Sequence, residues 1–270
     1  MKKVNVRGIT IGGGDLVLIA GPCVIESRTH AIYMAHALKE ITSNLSIPYI
    51  FKTSFDKANR SSIDAYRGPG LKKGLDILGE IRQDLGIPIT SDIHTLDQAL
   101  PASKVLDLVQ IPAFLCRQTD LLLAAGKTGL PINIKKGQFM APWDMINVIK
   151  KVESTGNTQI LLTERGTSFG YNNLICDFRS LASMRSLGKP VVFDVTHSLQ
   201  LPGGKGDSSG GNREFIIPLA RAGVAFGIDA LFMEVHDNPE HALSDGPNSL
   251  RLSDLDKALK QILDIKKVVG

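Results

Sequence analysis

Eight short apolar runs recur along the chain, and each is followed by a segment with helical spacing of apolar residues. The runs occupy residues 16–20, 49–52, 87–90, 108–111, 132–134, 160–163, 191–195 and 230–234. Their nearly continuous apolar character is typical of parallel strands covered on both faces. Helical patterns occupy residues 29–42, 71–85, 96–102, 120–125, 142–154, 177–187, 213–222 and 252–267. Eight successive strand–helix units predict an α/β fold, the (β/α)8 TIM barrel.

Some details of this arrangement depend on weaker signals. The third unit is the least regular, because Pro101 is expected to interrupt its helix, and a doubly wound open sheet is the alternative fold. Residues 4–6 and 9–11 alternate around Arg7 and Gly8, which predicts a short N-terminal β-hairpin at the bottom of the barrel. Residues 1–270 are expected to form one domain, in which the glycine-rich stretch 202–211 is a mobile loop.

Composition limits the classes of partner and the location. The net charge of +4 and the lack of a run of five basic residues argue against nucleic-acid binding, although a basic pocket for small anions remains open. No stretch approaches the roughly 20 apolar residues of a membrane span, and no signal-peptide core is evident. The odd number of cysteines argues against a disulfide framework. We therefore expect a cytoplasmic protein.

Polar side chains follow almost every predicted strand. In a barrel of this kind the carboxyl ends of the strands form the active-site rim. The residues at these ends are Cys23, Lys52, Asp92, His94, Gln110, Lys135, Lys136, Glu164, Arg165, His197, Glu234 and His236. A single such residue is more often a solvated loop position, but agreement among so many strands predicts an active site.

Five cations fall on or near this rim. They are Lys52, Lys57, Arg60, Lys135 and Arg165. Cations that converge repel one another unless an anion compensates them, and arginine and lysine are the usual ligands of phosphate and carboxylate groups. The set predicts a substrate with several negative charges, most simply one or two phosphate esters. The alternative is that these cations are surface charges that pair with acidic residues in loops.

A second subset consists of Cys23, His197, Glu234 and Asp245. Thiolate, imidazole and carboxylate ligands suit Zn²⁺ or Fe²⁺ better than Mg²⁺. The spacing matches no compact zinc motif, and a lone cysteine after a strand is usually a small buried apolar residue. From the residues alone, metal binding and a purely structural role both stay open.

Several segments resemble the phosphoenolpyruvate-dependent sugar-acid synthases, the family of the type I DAHP and 3-deoxy-D-manno-octulosonate-8-phosphate (KDO8P) synthases. Residues 19–26 (IAGPCVIE) are similar to the first-strand signature of that family. Residues 51–62 (FKTSFDKANRSS) are similar to the segment that marks its KDO8P synthase branch. The other matches are residues 91–94, 110–114, 135–138, 163–166, 193–198 and 244–247. The matching motifs run in order along essentially the whole chain.

The resemblance implies a condensation of phosphoenolpyruvate with arabinose 5-phosphate, a step of lipopolysaccharide KDO biosynthesis, in a homotetramer. It implies phosphoenolpyruvate-binding roles for Lys52, Lys57, Ala113, Lys135 and Arg165. It implies sugar-binding roles for Asn59, Arg60 and Ser61, with Asp92 and Gln110 lining the same cavity.

The resemblance also bears on the metal. The family has metal-dependent members with cysteine at position 23 and metal-independent members with asparagine there. Cys23 and Ser244 both match the dependent class, which implies a divalent ion (Zn, Fe or Mn) held by Cys23, His197, Glu234 and Asp245. The residues expected to take part in catalysis are Cys23, Lys135, His197 and Asp245.

Three other functions remain open on the sequence. A class I aldolase would use Lys52 or Lys135 as a Schiff-base lysine. A zinc hydrolase would normally need several histidine ligands, and most of the six histidines lie off the rim. A phosphosugar sensor would bind without turnover, because a barrel by itself does not fix a chemistry.

Overall fold

A computed structural model describes residues 2–203 and 210–269. Eight strands carry the main sheet, namely β1 Val17–Gly21, β2 Tyr49–Lys52, β3 Ile89–Asp92, β4 Leu108–Ile111, β5 Ile132–Lys135, β6 Ile160–Glu164, β7 Val191–Asp194 and β8 Ala230–His236. Eight helices follow them, namely α1 Arg28–Asn44, α2 Leu71–Leu85, α3 Leu96–Ser103, α4 Thr119–Lys127, α5 Met145–Glu153, α6 Arg179–Arg185, α7 Ile216–Phe226 and α8 Leu252–Val269.

The strands pair in chain order and close on themselves. Every pairing is parallel from β1 to β8, and the ring closes where β8 pairs with β1 through Phe232 and Ile19. The predicted (β/α)8 TIM barrel is confirmed, and the doubly wound open sheet is wrong. Closure leaves no exposed edge among the eight strands, and both faces of each are covered because the helices pack outside.

The predicted N-terminal hairpin is also present. Val4–Val6 pairs antiparallel with Ile9–Ile11, and Arg7 and Gly8 occupy the turn with positive φ angles. Buried side chains of the hairpin pack on the side chains inside the barrel in one apolar cluster. The Asn5 N–H donates to Gln159 just ahead of β6, so the hairpin covers the amino ends of the strands.

Some predicted boundaries were wrong. Pro101 does not interrupt α3, which ends only at Ser103, because α3 is short and the lost backbone hydrogen bond affects a single turn. β3 begins at Ile89 rather than at residue 87, since Pro88 has no N–H for the ladder. The helices predicted at 142–154 and 213–222 each begin with a 3₁₀ turn, Pro142–Asp144 and Arg213–Phe215.

Short pairings at the carboxyl rim were not predicted. Thr167–Ser168 pairs with Leu174–Ile175 after β6, and Leu250–Arg251 adds to the end of β8. Gln200–Leu201 pairs with Gly210–Gly211. The rest of the predicted 202–211 loop, residues 204–209, lies outside the described residues. Within the described ranges, the helices lack the combination of length and apolar character needed to cross a bilayer.

Candidate active site

A cavity of about 400 Å³ opens at the carboxyl ends of the strands. All five predicted cations line it, namely Lys52, Lys57, Arg60, Lys135 and Arg165. Five other predicted site residues line it too, namely Asn59, Ser61, Asp92, Gln110 and Ala113. The closed ring explains the convergence, because parallel strands in a barrel end on the same face. The structure therefore brings the predicted substrate-binding set together.

The Gly21-Pro22-Cys23 segment places the cysteine at this face. A Cβ at Gly21 would lie 2.0 Å from the carbonyl oxygen of Lys52, so the close approach of β1 to the end of β2 requires glycine. The buried Cys23 Sγ then lies 2.8 Å from Ser244 Oγ and 3.1 Å from Asp245 Oδ2. Burial raises the pKa of the Cys23 thiol, and the Asp245 carboxylate raises it further. The thiol is thus held as a neutral donor to a carboxylate.

Three of the four predicted metal ligands form a compact group. Ligand atoms of Cys23, Glu234 and Asp245 lie within 4.8 Å of one another. His197 lies beside them, with Nε2 at 3.3 Å from Glu234 Oε1 and 3.9 Å from Asp245 Oδ2. Glu234 is on β8, Cys23 follows β1, and the remaining two residues lie on loops after β7 and β8. The structure therefore also brings these four residues together.

The surroundings of the Glu234 carboxylate indicate whether a cation would fit between these four residues. It is fully buried, and its Oε2 has no hydrogen-bond partner among the residues that the structure describes. Burial raises the pKa of Glu234, but the charges of His197, Lys52 and Lys57 lower it well below its usual value. A buried carboxylate oxygen without a partner is costly, and a divalent ion would satisfy it. One sulfur, one nitrogen and two carboxylates fit Zn²⁺ or Fe²⁺.

Asp194 organises the opposite side of His197, although the sequence did not single it out. Its Oδ2 accepts from His197 Nδ1 at 2.7 Å and from Lys135 Nζ at 2.6 Å. This contact leaves Nε2 of His197 facing Glu234, the arrangement in which a carboxylate orients a metal-binding histidine. Burial raises the pKa of Asp194, but the charges of His197 and Lys135 lower it strongly. Asp194 stays ionised and fixes both side chains.

Arg165 lines the cavity with its guanidinium group only partly satisfied by hydrogen bonds among the described residues. It is buried, its Nη2 donates to Gln200 Oε1 at 2.7 Å, and its Nη1 has no partner within residues 2–203 and 210–269. Gln200 in turn donates to Asp245 Oδ1 at 3.0 Å. Gln200 thus connects Arg165 to the predicted metal ligands, and a phosphate or carboxylate in the cavity would satisfy the guanidinium N–H that has no partner among the described residues.

Asp92 and Gln110 belong to a chain of hydrogen bonds at the floor of the cavity. Ser54 Oγ and Gln110 Nε2 both donate to the Asp92 carboxylate. Asn133 Nδ2 donates to Gln110 Oε1 at 3.1 Å, and Thr163 Oγ1 donates to Asn133 at 2.5 Å. The chain spans β3 to β6 and fixes the orientation of each amide.

Arg60 closes the cavity from the loop that follows β2. Its Nη2 donates to Ser244 Oγ, and its Nε donates to the carbonyl oxygen of Tyr66 at 3.2 Å. Because Ser244 also contacts Cys23, the loop with Arg60 and the loop with Asp245 meet at this serine. The sequence did not predict this contact, since it joins residues 184 positions apart.

Three of the predicted rim residues point elsewhere. Lys136 and Glu164 form a buried ion pair at 3.5 Å behind the rim, where Glu164 Oε1 accepts the backbone N–H groups of Arg165 and Gly166. His236, the last residue of β8, lies 3.2 Å from Glu26 and outside the lining of the cavity. Their side chains hold the rim loops in place, and no sequence signal separates them from cavity residues because they share the same strand ends.

The profile of the DAHP synthetase I family matches residues 1–269. The chain belongs to the DAHP synthetase I family. Curated relatives in that family are similar over their full length. The protein named 2-dehydro-3-deoxyphosphooctonate aldolase of Geobacter sp. (strain M21) is 58% identical over 270 residues, covering 100% of this chain and 99% of the relative.

Two further relatives carry the same name. That of Syntrophotalea carbinolica is 60% identical over 267 residues, with 98% of this chain and 96% of the relative covered. That of Cyanothece sp. (strain PCC 7425) is 60% identical over 272 residues, with both chains covered at 100%. Membership of the DAHP synthetase I family agrees with the closed barrel and with the resemblance of the strand-end motifs.

Proposed function

We propose that the chain is a KDO8P synthase, a carbon–carbon bond-forming transferase. It condenses phosphoenolpyruvate with D-arabinose 5-phosphate and water to give 3-deoxy-D-manno-octulosonate 8-phosphate and phosphate, a step of lipopolysaccharide KDO biosynthesis. The observation that carries the proposal is the cavity lined by Lys52, Lys57, Arg60, Lys135 and Arg165. The two substrates together bring two phosphates and one carboxylate, enough negative charge to compensate these cations. The shared name of the relatives points to the same eight-carbon product.

Phosphoenolpyruvate would lie deep in the cavity. Its phosphate and carboxylate would be held by Lys52, Lys57, Lys135, Arg165 and the backbone at Ala113. The Nη1 of Arg165, which has no hydrogen-bond partner among the described residues, supports this placement. The sugar would lie nearer the mouth, where Asn59, Arg60 and Ser61 share the loop after β2, with Arg60 on the sugar phosphate. Asp92 and Gln110 would bind hydroxyl or enol oxygens between the two.

The chemistry forms one carbon–carbon bond and one carbon–oxygen bond. The π electrons of phosphoenolpyruvate attack the aldehyde carbon, whose oxygen takes a proton, while water adds to C2. Asp245 lines the cavity and is oriented by Gln200, so its carboxylate would accept the proton of that water. The tetrahedral product then loses phosphate with the electrons of its C2–O bond, and the C2 hydroxyl loses its proton as the ketone forms. Lys135 and Arg165 neutralise the departing phosphate.

A divalent ion (Zn, Fe or Mn) would be held by Cys23, His197, Glu234 and Asp245. When bound, it would supply positive charge that orients the aldehyde or acidifies the attacking water. Cys23 would contribute its sulfur once the thiol proton is lost, and Asp194 would keep Nε2 of His197 facing the ion. The Oε2 of Glu234, which has no hydrogen-bond partner in residues 2–203 and 210–269, supports this assignment.

A phosphate-release assay tests the substrate assignment. We expect turnover with arabinose 5-phosphate and much less with the shorter erythrose 4-phosphate. Arg60→Ala removes the expected ligand of the sugar phosphate, a charge-assisted contact of about 1.5–3 kcal/mol. This corresponds to a rise in KM for the sugar of roughly 10- to 150-fold, with a smaller effect on the KM for phosphoenolpyruvate. Preference for erythrose 4-phosphate, or equal kinetics for Arg60→Ala and wild type, would contradict the proposal.

Arg67→Ala is the matched control for Arg60→Ala. Arg67 lies in the same loop but pairs with Asp56 at the surface, and it is 57% exposed. We expect near wild-type kinetics from this variant, because exposed ion pairs contribute little.

Removal of the metal tests the cofactor assignment. Chelation is expected to abolish phosphate release, and Zn²⁺, Fe²⁺ or Mn²⁺ should restore it. Cys23→Ser is expected to lower both metal content and turnover, whereas Cys176→Ser, a change outside the group, should leave both unchanged. Full activity of chelated Cys23→Ser would refute the metal assignment. Retained activity in Cys23→Asn, as in metal-independent members, would show that the ion orients substrate rather than supplying the nucleophile.

A class I aldolase mechanism makes a different prediction for Lys135. Burial lowers the pKa of its ammonium, and the Asp194 carboxylate opposes that change. Borohydride trapping of a substrate adduct on Lys52 or Lys135 would favour a Schiff base. We expect no adduct, because the side-chain nitrogen of Lys52 donates to Glu234 and that of Lys135 donates to Asp194.

We also propose that the chain assembles as a homotetramer in the cytoplasm. Large aromatic side chains are exposed on neighbouring loops after β4, β5 and β6, namely Phe114, Phe139, Trp143, Phe169 and Tyr171. Clusters of this kind commonly mark surfaces between subunits. Light scattering would test the assembly, and a monomer at micromolar concentration would contradict it.

A further inference from the structure

A second group of metal-ligand side chains lies outside the cavity. One ligand atom each of Glu26, His30 and His236 lies within 4.8 Å of the other two. We propose that these residues bind a transition-metal cation at a site of their own, and that Zn²⁺ fits it best. Two imidazoles and one carboxylate suit zinc, which commonly binds three protein ligands and leaves the fourth position to water.

The spacing of two of these ligands already matches a coordination sphere. Glu26 Oε1 and His236 Nε2 are 3.2 Å apart. Two ligands of a tetrahedral zinc ion at bond lengths of about 2.0–2.1 Å are separated by about 3.3 Å. The Glu26 carboxylate is also fixed in place, because Oε1 accepts the backbone N–H of Leu243 at 2.8 Å. A cation between the two atoms would require little movement of either side chain.

Asp237 orients both imidazoles from their other side. Its Oδ1 lies 3.0 Å from His30 Nε2 and 3.1 Å from His236 Nδ1. A carboxylate in this position takes the N–H of one ring nitrogen and leaves the second nitrogen for a metal. For His30 the second nitrogen is Nδ1, which is buried and has no partner in the described part of the chain. An unpartnered buried ring nitrogen is what a missing ligand would satisfy.

One contact favours a different proton arrangement without a cation. The backbone N–H of Asn238 donates to His236 Nδ1 at 3.0 Å, which places the ring proton on Nε2 and directs it to Glu26. A cation bound to Nε2 would require this single ring proton to move to Nδ1, where Asp237 Oδ1 accepts it at 3.1 Å. Metal binding therefore exchanges one hydrogen-bonded tautomer of His236 for the other.

The position of the site gives it a structural role. Glu26 follows β1, His30 is in the first turn of α1, and His236 ends β8. Glu26 also holds Leu243, two residues ahead of Asp245. An ion here would link α1 and β8 to the segment that carries Ser244 and Asp245, from the side away from the substrates. The inference does not depend on the proposed reaction.

Zinc binding to the full-length protein tests the inference. Metal-free protein is dialysed against Zn²⁺ and the bound metal is counted by mass spectrometry, for wild type, His30→Gln, Asp237→Asn and Cys23→Ser. His36→Gln is the control, because His36 is on the same helix but exposed and outside the cluster. Cobalt spectra add a second readout, since a thiolate charge-transfer band is expected from an ion held by Cys23 and not from one held by Glu26, His30 and His236.

We expect His30→Gln to bind one zinc ion fewer per chain than wild type and to keep the cobalt–thiolate band. Asp237→Asn should bind the same ion roughly 10- to 100-fold more weakly, and His36→Gln should match wild type. Cys23→Ser should keep this ion and lose the band. Equal zinc content in wild type, His30→Gln and Asp237→Asn would overturn the proposal, as would complete loss of zinc in Cys23→Ser. Loss in His30→Gln with no effect of Cys23→Ser would instead support this site and contradict the catalytic metal.

Discussion

Asp194→Asn tests whether one buried carboxylate positions both His197 at the proposed metal site and Lys135 at the proposed phosphate site. The side chain is fully buried, and its partner Lys135 is only 7% exposed. The amide keeps the shape but loses the charge that compensates the ammonium, and its NH₂ group cannot accept a hydrogen bond. Removing one partner of a buried ion pair costs about 3–5 kcal/mol. In a domain of this size that loss lowers Tm by roughly 6–20 °C.

The same substitution should also affect function. Loss of the carboxylate that orients a metal-binding histidine typically lowers metal affinity or activity about 10- to 100-fold, and Lys135 would lose its fixed position at the phosphate. Calorimetry, metal content and phosphate-release kinetics measure the three effects. Asp107→Asn is the matched control: Asp107 pairs with the half-exposed Arg82 at the amino ends of the strands, so its loss should lower Tm and leave KM unchanged. An Asp194→Asn enzyme with wild-type metal content and KM would refute the reasoning.

Two further predictions concern stability. Burial raises the pKa of Asp92, but the charges of Lys52 and Lys57 lower it below its usual value. A carboxyl group whose pKa is lower in the folded than in the unfolded protein stabilises the fold at pH values above its unfolded pKa of about 3.9. That stabilisation is lost as the pH falls below this value towards the folded pKa. Wild type should therefore lose more Tm between pH 5 and pH 3 than Asp92→Asn, and parallel Tm curves would contradict this. Lys136→Met should lower the free energy of unfolding, measured in urea, by about 3–5 kcal/mol because it leaves Glu164 unpaired. The double variant with Glu164→Gln should lose less than the sum of the two single variants, and additive losses would contradict the pairing.

Most of the fold was predictable because a buried parallel strand leaves a continuous apolar run. The eight runs overlapped the eight strands, and the hairpin was correct in both strands. Some predicted boundaries were wrong because the effect of a proline on the backbone was misjudged. Pro101 is one example, since α3 continues for two residues beyond it. Short pairings such as Leu250–Arg251 depend on contacts across the rim and leave no periodic signal.

The candidate site was predictable only as a set of strand ends. The sequence predicted that the cations and the four candidate metal ligands lie together, because parallel strands deliver their ends to one rim. It could not separate residues that point into the cavity from those behind it, as with Lys136. It also missed Asp194 and Gln200, and it did not predict the contacts of Ser244 with Cys23 and Arg60, because these depend on distances to side chains far away in the chain. A lone aspartate at a strand end gives no hint that it serves a lysine and a histidine together.

Because the ring of strands closes between β1 and β8, residues for the proposed metal come from the first and the last strand of the barrel. Cys23 follows the first strand, and Glu234 is on the last. At a synthesis rate of about 5–20 residues per second, β8 leaves the ribosome roughly 10–40 s after β1. Throughout that interval the nascent chain carries the thiol without its carboxylate neighbours. Loading with the proposed ion would therefore follow completion of the barrel, because a protein truncated before β8 would lack Glu234 and Asp245.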